Sequence, residues 1–213
     1  MSPSSLVAQE RRTLAELFLS VGPDAPTLCA GWTARDLVAH LVIREGRPDA
    51  AIGIIGGPMA KWTAKVQDAA ALQPFDELVA TFRNGPPRWS PFSIAKLEAA
   101  ANIVEFAVHI EDVRRAQPSW VAAPDNPELS AVLWTRLTKM SKLLMRGVKL
   151  GVEFQRTDQS APVFSAKSGT PIVKLTGTPL DLVLRTYGRT EVDLQVTGDQ
   201  SAIDTFNAAK FGI

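Results

Sequence analysis

The chain is poor in the residues on which most metal and acid–base chemistry relies. It has one cysteine, Cys29, and two histidines, His40 and His109. A single cysteine excludes an internal disulfide and a cysteine-rich zinc or iron–sulfur site, and a reducing cytoplasm suits it best. Any chemistry that needs imidazole must use one of the two histidines. Charge of one sign is also lacking: 23 Lys and Arg face 22 Asp and Glu, a net +1. That balance gives no reason to expect a nucleic-acid partner. Long apolar runs are missing too. The longest stretch without a charged residue, 50–60, has 11 residues, against roughly 18 or more for a membrane-spanning helix. The opening MSPSSLVAQERR has no basic region followed by an apolar one, so no secretory leader is expected there.

What is present is ordinary globular material: 213 residues, 46% hydrophobic and 21% charged, enough for a sizeable core. The first 150 residues read as helices. One starts at Ser2–Pro3, with Leu6, Leu14, Leu17 and Phe18 at helical spacing, and stops at Gly22–Pro23. Thr33 caps a second, with Asp36 in the capping-box position. The run AAIGIIGGPMA reads as a helix end and a loop. A third helix begins near Phe75 and ends before NGPPRWSPF, whose prolines cannot sit inside a helix. The strongest helical signal covers 93–116, followed by a fifth helix from Pro127 to Arg146. From Gly151 the period shortens: GVEFQRT, APVFSAK and PIVKLTG read as strands, PLDLVLRTYGR as a helix, EVDLQVTG as a strand and DQSAIDTFNAAKF as a last helix. The expected fold is mainly α: an up-and-down four-helix bundle over 1–147, then a small α+β domain over 148–213.

The segment NIVEFAVHIEDVRR draws attention first. At about 100° per residue, Asn102, Glu105, His109 and Asp112 share a stripe about 80° wide. Apolar residues, Phe106 and Val113 among them, fill much of the remaining circumference, so the stripe is not a plain solvent face. If the second helix packs across it, His40 meets Glu105 and His109. Two imidazoles and a carboxylate suit Zn²⁺ and leave a fourth position open, as catalytic zinc requires. Asp112 would then take the other ring N–H of a ligating histidine, or ligate itself. The competing reading is two core histidines with ordinary partners, Glu105 pairing an arginine.

GWTARDLVAHL and EFAVHIEDVRRA resemble two signatures, GWT-x(6)-HL and E-x3-H-x2-D-x2-R-A. Both belong to the branch of the DinB-like four-helix-bundle superfamily that includes the mycothiol-dependent maleylpyruvate isomerases. With the loop RNGPPRWSPF, the chain is most similar to an actinobacterial metal-binding subfamily of that branch. The resemblance covers essentially the whole chain. It implies a divalent metal, usually zinc, on His40, Glu105 and His109, and mycothiol as the thiol. The loops that would shape a substrate pocket depart from the isomerases, so their substrate does not carry over.

Other residues have plainer readings. Arg136, Lys139, Lys142, Arg146 and Lys149 form a solvated face opposite Leu133, Leu137, Met140 and Leu144. Arg114 and Arg115 either compensate a helix dipole or steer an anionic substrate. Arg189 is a further substrate candidate, because the isomerases use a C-terminal arginine near their site. Cys29 is not expected as a ligand, since His40 lies about 10 Å along its helix from the cap. Trp32 reads as a staple at the helix entry, and Trp89 and Phe92 either line a pocket mouth or pack over the bundle end. The expected function is a cytoplasmic, metal-dependent enzyme that uses a small thiol to transfer or isomerise a small electrophile, as a monomer or homodimer without a membrane. The alternatives are a non-catalytic metal or small-ligand binder and a purely structural bundle.

Overall fold

The computed structural model describes residues 3–54, 56–122, 124–209 and 211. The chain divides into two compact units, Met1–Ala122 and Ala123–Ile213.

In the first unit α1 spans Pro3–Val21; Ser2, its expected cap, lies outside the described residues. Gly22, at φ +83°, ends it in the left-handed region that glycine enters without strain. α2 covers Ala34–Gly46, and its capping box is complete: Thr33 accepts from the Asp36 amide while the Asp36 side chain accepts from the Thr33 amide. A short α3, Pro48–Ala51, follows. Then comes α4, Ala60–Ala71, a helix beyond those expected from the sequence. No side chain caps it, so no start signal marks it, although Thr63, Val66 and Ala70 fall at helical spacing and make up its buried face. Gly53 lets it approach: a Cβ there would collide with Thr63 and the Met59 backbone. α5 is Phe75–Asn84, and Pro91–Ser93 form one 3₁₀ turn. α6, Ala95–Arg114, falls within the expected 93–116. α1 packs on α5 and α6, and α2 on α4 and α5. At the centre Phe82 meets Phe18 and Phe106 edge-on, at centroid distances of 6.2 and 5.4 Å. All three rings are fully buried with Leu14, Leu37, Leu41, Leu78 and Ile103, each contributing about 1.5–3 kcal/mol by leaving water.

The second unit begins with α7, Pro127–Leu144, capped by the Asn126 side chain on the Leu129 amide. Strands β1 (Gly151–Arg156), β2 (Phe164–Lys167), β3 (Ile172–Gly177) and β4 (Leu194–Thr197) form one sheet in the order β2-β1-β3-β4. The central β1–β3 pair is parallel and both outer pairs are antiparallel. α8, Pro179–Thr186, and α9, Gln200–Ala208, complete it. The change of periodicity at 147/148 marks a change of element type; in the structure α7 belongs to the second unit, where it packs on α8 and β2. Trp134 of α7 meets Phe164 edge-on at 6.0 Å, and the Arg156 guanidinium lies over its ring. Leu133, Leu137 and Leu144 are buried, while Lys139, Lys142, Arg146 and Lys149 are exposed. The basic stripe is therefore a solvated face. Helices followed by a small mixed α+β unit are the mainly α architecture expected.

Candidate metal centre

The polar stripe on α6 faces inward. Asn102 and Asp112 are fully buried, His109 nearly so, and Glu105 keeps 24% of its side chain exposed. The helix sets the spacings: Glu105 and His109 are one turn apart, and Asp112 sits three residues beyond. Glu105 Oε1 lies 3.3 Å from His109 Nε2. From α2, His40 brings Nε2 to within 3.5 Å of the same oxygen. The two imidazole rings stand edge to face with centroids 5.9 Å apart. The three residues expected to converge do so, with their donor atoms all within 4.8 Å of one another.

On the far edge of the His109 ring, Nδ1 is 2.8 Å from Asp112 Oδ2. An ionised carboxylate only accepts, so Nδ1 carries a proton toward Asp112 and, without an ion, Nε2 carries one toward Glu105; a cation would displace the Nε2 proton and leave the Nδ1–H tautomer. That tautomer is the one a metal-ligating histidine needs. Burial disfavours charge on His109, yet Asp112, Cys29 and Glu105 together hold its pKa well above the usual histidine range. Burial likewise opposes charge on Glu105, but His109, His40 and the Arg44 guanidinium hold its carboxyl well below the usual range. Two carboxylates, Glu105 and Asp112, thus surround imidazoles in a place that calls for positive charge.

The donor set passes a simple test of fit to a tetrahedral ion. Nitrogen and oxygen ligands at 2.0–2.1 Å from zinc lie roughly 3.3 Å from each other. The two histidine–glutamate separations here are 3.3 and 3.5 Å. Glu105 is the most exposed of the three donors, so the set is approached from its side.

Sequence reasoning missed three neighbours. Cys29, set aside as a ligand, lies with Sγ 3.2 Å from Asp112 Oδ2 and 3.9 Å from His109 Nδ1. Rise along α2 was the wrong measure, because Cys29 approaches the end of α6 rather than the middle of α2. The loop is fastened there by the Leu28 amide on the Asp112 carbonyl and by Gln117 Nε2 on the Pro26 carbonyl. Trp32 does more than start α2: its ring is 5.0 Å from that of His40. Arg44, one turn beyond His40, places Nε 3.3 Å from Glu105 and donates to Asn102 Oδ1, with its guanidinium over Phe92. Spacing on α2 is the signal that could have found Arg44.

Arg115 is nearly buried, with Nε 2.6 Å from Glu111 and its guanidinium over Trp120. Arg114 also pairs with Glu111. Arg189 lies in the second unit, just after α8, and donates to the Tyr187 carbonyl at 2.6 Å. Trp89 is exposed. A separate open cleft of about 530 Å³ runs along α1 and the 83–93 segment, with Arg11, Arg12 and Arg83 on its walls. It contains none of the residues of the centre.

Two solved structures share this fold. Crystal structures of the mycothiol-dependent maleylpyruvate isomerase and of a mutant of it align over 92% of this chain and 91% of theirs, with TM-scores of 0.63 and 0.64 at 16% identity. No curated protein sequence matches. The family model of the mycothiol maleylpyruvate isomerase N-terminal domain matches residues 6–140, a span that includes α2, α6 and every residue of the centre. The chain therefore belongs to the mycothiol maleylpyruvate isomerase N-terminal domain family.

Proposed function

We propose that His40, Glu105 and His109 hold one divalent cation, zinc suiting the donors best, and that the protein acts with mycothiol to isomerise or transfer a small electrophile. The observation that carries the cation is the convergence of two imidazole Nε2 atoms on one carboxylate oxygen, with Asp112 fixing the His109 tautomer. When bound, such an ion lowers the pKa of a coordinated thiol and polarises a carbonyl. The protein's part is to hold and shield. Asp112 keeps the Nδ1 proton in place and the ring oriented. Arg44 steadies the same Glu105 oxygen that the two imidazoles reach, and the Trp32 ring packs tilted against that of His40. Family membership and the named activity of the similar structures support the choice of thiol.

In this reading Arg115 braces the end of α6, since Glu111 and Trp120 engage its guanidinium. Arg189 is kept as a candidate for an anionic group of the substrate. Among the described residues no helix is long and apolar enough to cross a membrane, and we place the protein in the cytoplasm as a monomer or homodimer. A non-catalytic binder would be favoured by a fourth protein donor on the same ion. Cys29 supplies none, because it lies on the Nδ1 side of His109.

The test has two stages. Metal analysis of freshly purified protein should find close to one divalent ion per chain, and none in His109→Ala. Metal-loaded protein should then convert some member of an electrophile panel, maleylpyruvate included, only when mycothiol is present. Metal-free wild type that also refuses added zinc ends the proposal; loaded protein inert toward every thiol–electrophile pair reduces it to binding.

A further inference from the structure

The His109 ring has two edges, and metal-ligating groups stand at both. Nε2 faces Glu105 and His40; Nδ1 faces Asp112 and Cys29. Cys29 Sγ, His109 Nδ1 and an Asp112 oxygen form a second set whose donor atoms lie within 4.8 Å of one another. We propose that a thiophilic divalent cation takes this second position, and that the two positions exclude each other because they share one imidazole.

The donor chemistry differs from that of the first set. One sulfur, one nitrogen and one oxygen favour softer ions than two nitrogens and an oxygen do. Both sulfur separations are close to what coordination needs. Around a tetrahedral zinc, sulfur and nitrogen or oxygen donors lie roughly 3.5 Å apart; here sulfur is 3.2 Å from the carboxylate oxygen and 3.9 Å from the ring nitrogen. Nδ1 and the Asp112 oxygen, 2.8 Å apart in their hydrogen bond, would open to roughly 3.3 Å as an ion takes the proton's place. The loop holds the thiol in place beforehand. Cys29 donates its amide to Thr27 Oγ1 and accepts from the Trp32 amide, while Thr27 Oγ1 donates to the Trp32 carbonyl. Cys29 is half-buried, which leaves a path from solvent, whereas Asp112 behind it is fully buried. A thiolate and a carboxylate together neutralise a divalent charge in that interior, which offsets much of the cost of burying it.

Exclusion follows from the ring. Neutral imidazole has one lone pair. The first position needs it on Nε2, with the Nδ1 proton on Asp112. The second needs it on Nδ1, so the ring proton must sit on Nε2, where Glu105 accepts it. The thiol proton leaves to solvent as the metal–sulfur bond forms. Loading one position therefore selects the tautomer that disables the other. The exclusion rests on the metal reading above; the second position itself shares only His109 as a ligand, while Asp112 changes from holding the ring proton to holding the ion.

The chain's single cysteine makes the experiment unambiguous. Full-length, metal-free protein is titrated with Cd²⁺ alone while sulfur-to-metal charge-transfer absorption is followed, and any such band reports Cys29. Wild type is expected to develop the band and saturate at one ion. Cys29→Ser should lose it and bind Cd²⁺ about tenfold or more weakly. The double variant His40→Ala with Glu105→Gln should keep the band. Cd²⁺ should also protect Cys29 of the wild type from alkylation, a readout that does not depend on any variant folding. Cd²⁺ bound without a band, or without protection from alkylation, overturns the second position and leaves the first standing. A band that persists in the double variant while zinc binding at the first set fails supports the second position alone. Two Cd²⁺ ions bound at once overturn the exclusion, and no binding at all overturns both.

Discussion

α6 carries two buried polar clusters, less than three turns apart, and they solve the same electrostatic problem differently. Around Asn102 every charge has a protein counter-charge. Arg11 makes two hydrogen bonds to Glu45, at 2.6 and 2.8 Å, and a third to the Phe82 carbonyl, and it lies over the Phe82 and Phe106 rings. Asn102 donates to Glu45 and accepts from Arg44. Around His109, Glu105 divides itself between the Arg44 guanidinium and two imidazoles, and Asp112 meets an imidazole and a thiol, groups that carry no obligatory positive charge. The first cluster is complete without an exogenous ion. The second attains balance by taking up a proton or a cation. Buried polar groups thus divide into those that hold the bundle and those that exchange with solution, and which is which follows from whether the cations are guanidinium or imidazole.

The sharpest way to break the contrast is to strike the complete cluster. Glu45→Ala removes the carboxylate that accepts two bonds from Arg11 and one from Asn102, which should cost about 3–5 kcal/mol of stability, read from denaturant unfolding, while folded protein still takes up zinc. A negligible loss would mean that ion matching is not what holds this end of the bundle. At the other cluster the stabilisation should come from the ligand. Zinc at 100 times its Kd should add about 2.7 kcal/mol to wild type and nothing to His109→Ala, measured as thermal shifts with and without chelator. Asp112→Asn should lower zinc affinity about 10–100-fold by weakening the hold on the Nδ1 proton, which competition with a chromophoric chelator would detect. The smallest effect is a control. Thr33→Ala removes the α2 cap and should cost about 1 kcal/mol with zinc affinity unchanged, separating general destabilisation from damage to the centre.

The stripe of Asn102, Glu105, His109 and Asp112 was legible because a helix converts spacing into direction. Thr33 and Asp36 were legible for the same local reason, and the strands because turn residues punctuate them. What stayed hidden depends on contacts between distant segments. Nothing near Cys29 in sequence says that its loop fastens to the end of α6. Nothing around Glu45 in sequence marks it as the partner of Arg11, which comes from another helix. α4 has neither a capping side chain nor large buried residues, so its existence rests on helix propensity and on Gly53 making room for it. α7 has a readable helical period but no local mark of which unit it joins.

The Leu28 amide reaches the Asp112 carbonyl at 2.9 Å, in the last turn of α6, where a helix runs short of its own amide donors. The residue that orients His109 is thus gripped twice by consecutive residues, through its backbone by Leu28 and through its side chain by Cys29. Leu28 becomes a natural spectroscopic probe. Its amide resonance and its hydrogen-exchange rate should register any rearrangement around Asp112, so events at the buried centre can be followed from a backbone position that takes no part in them.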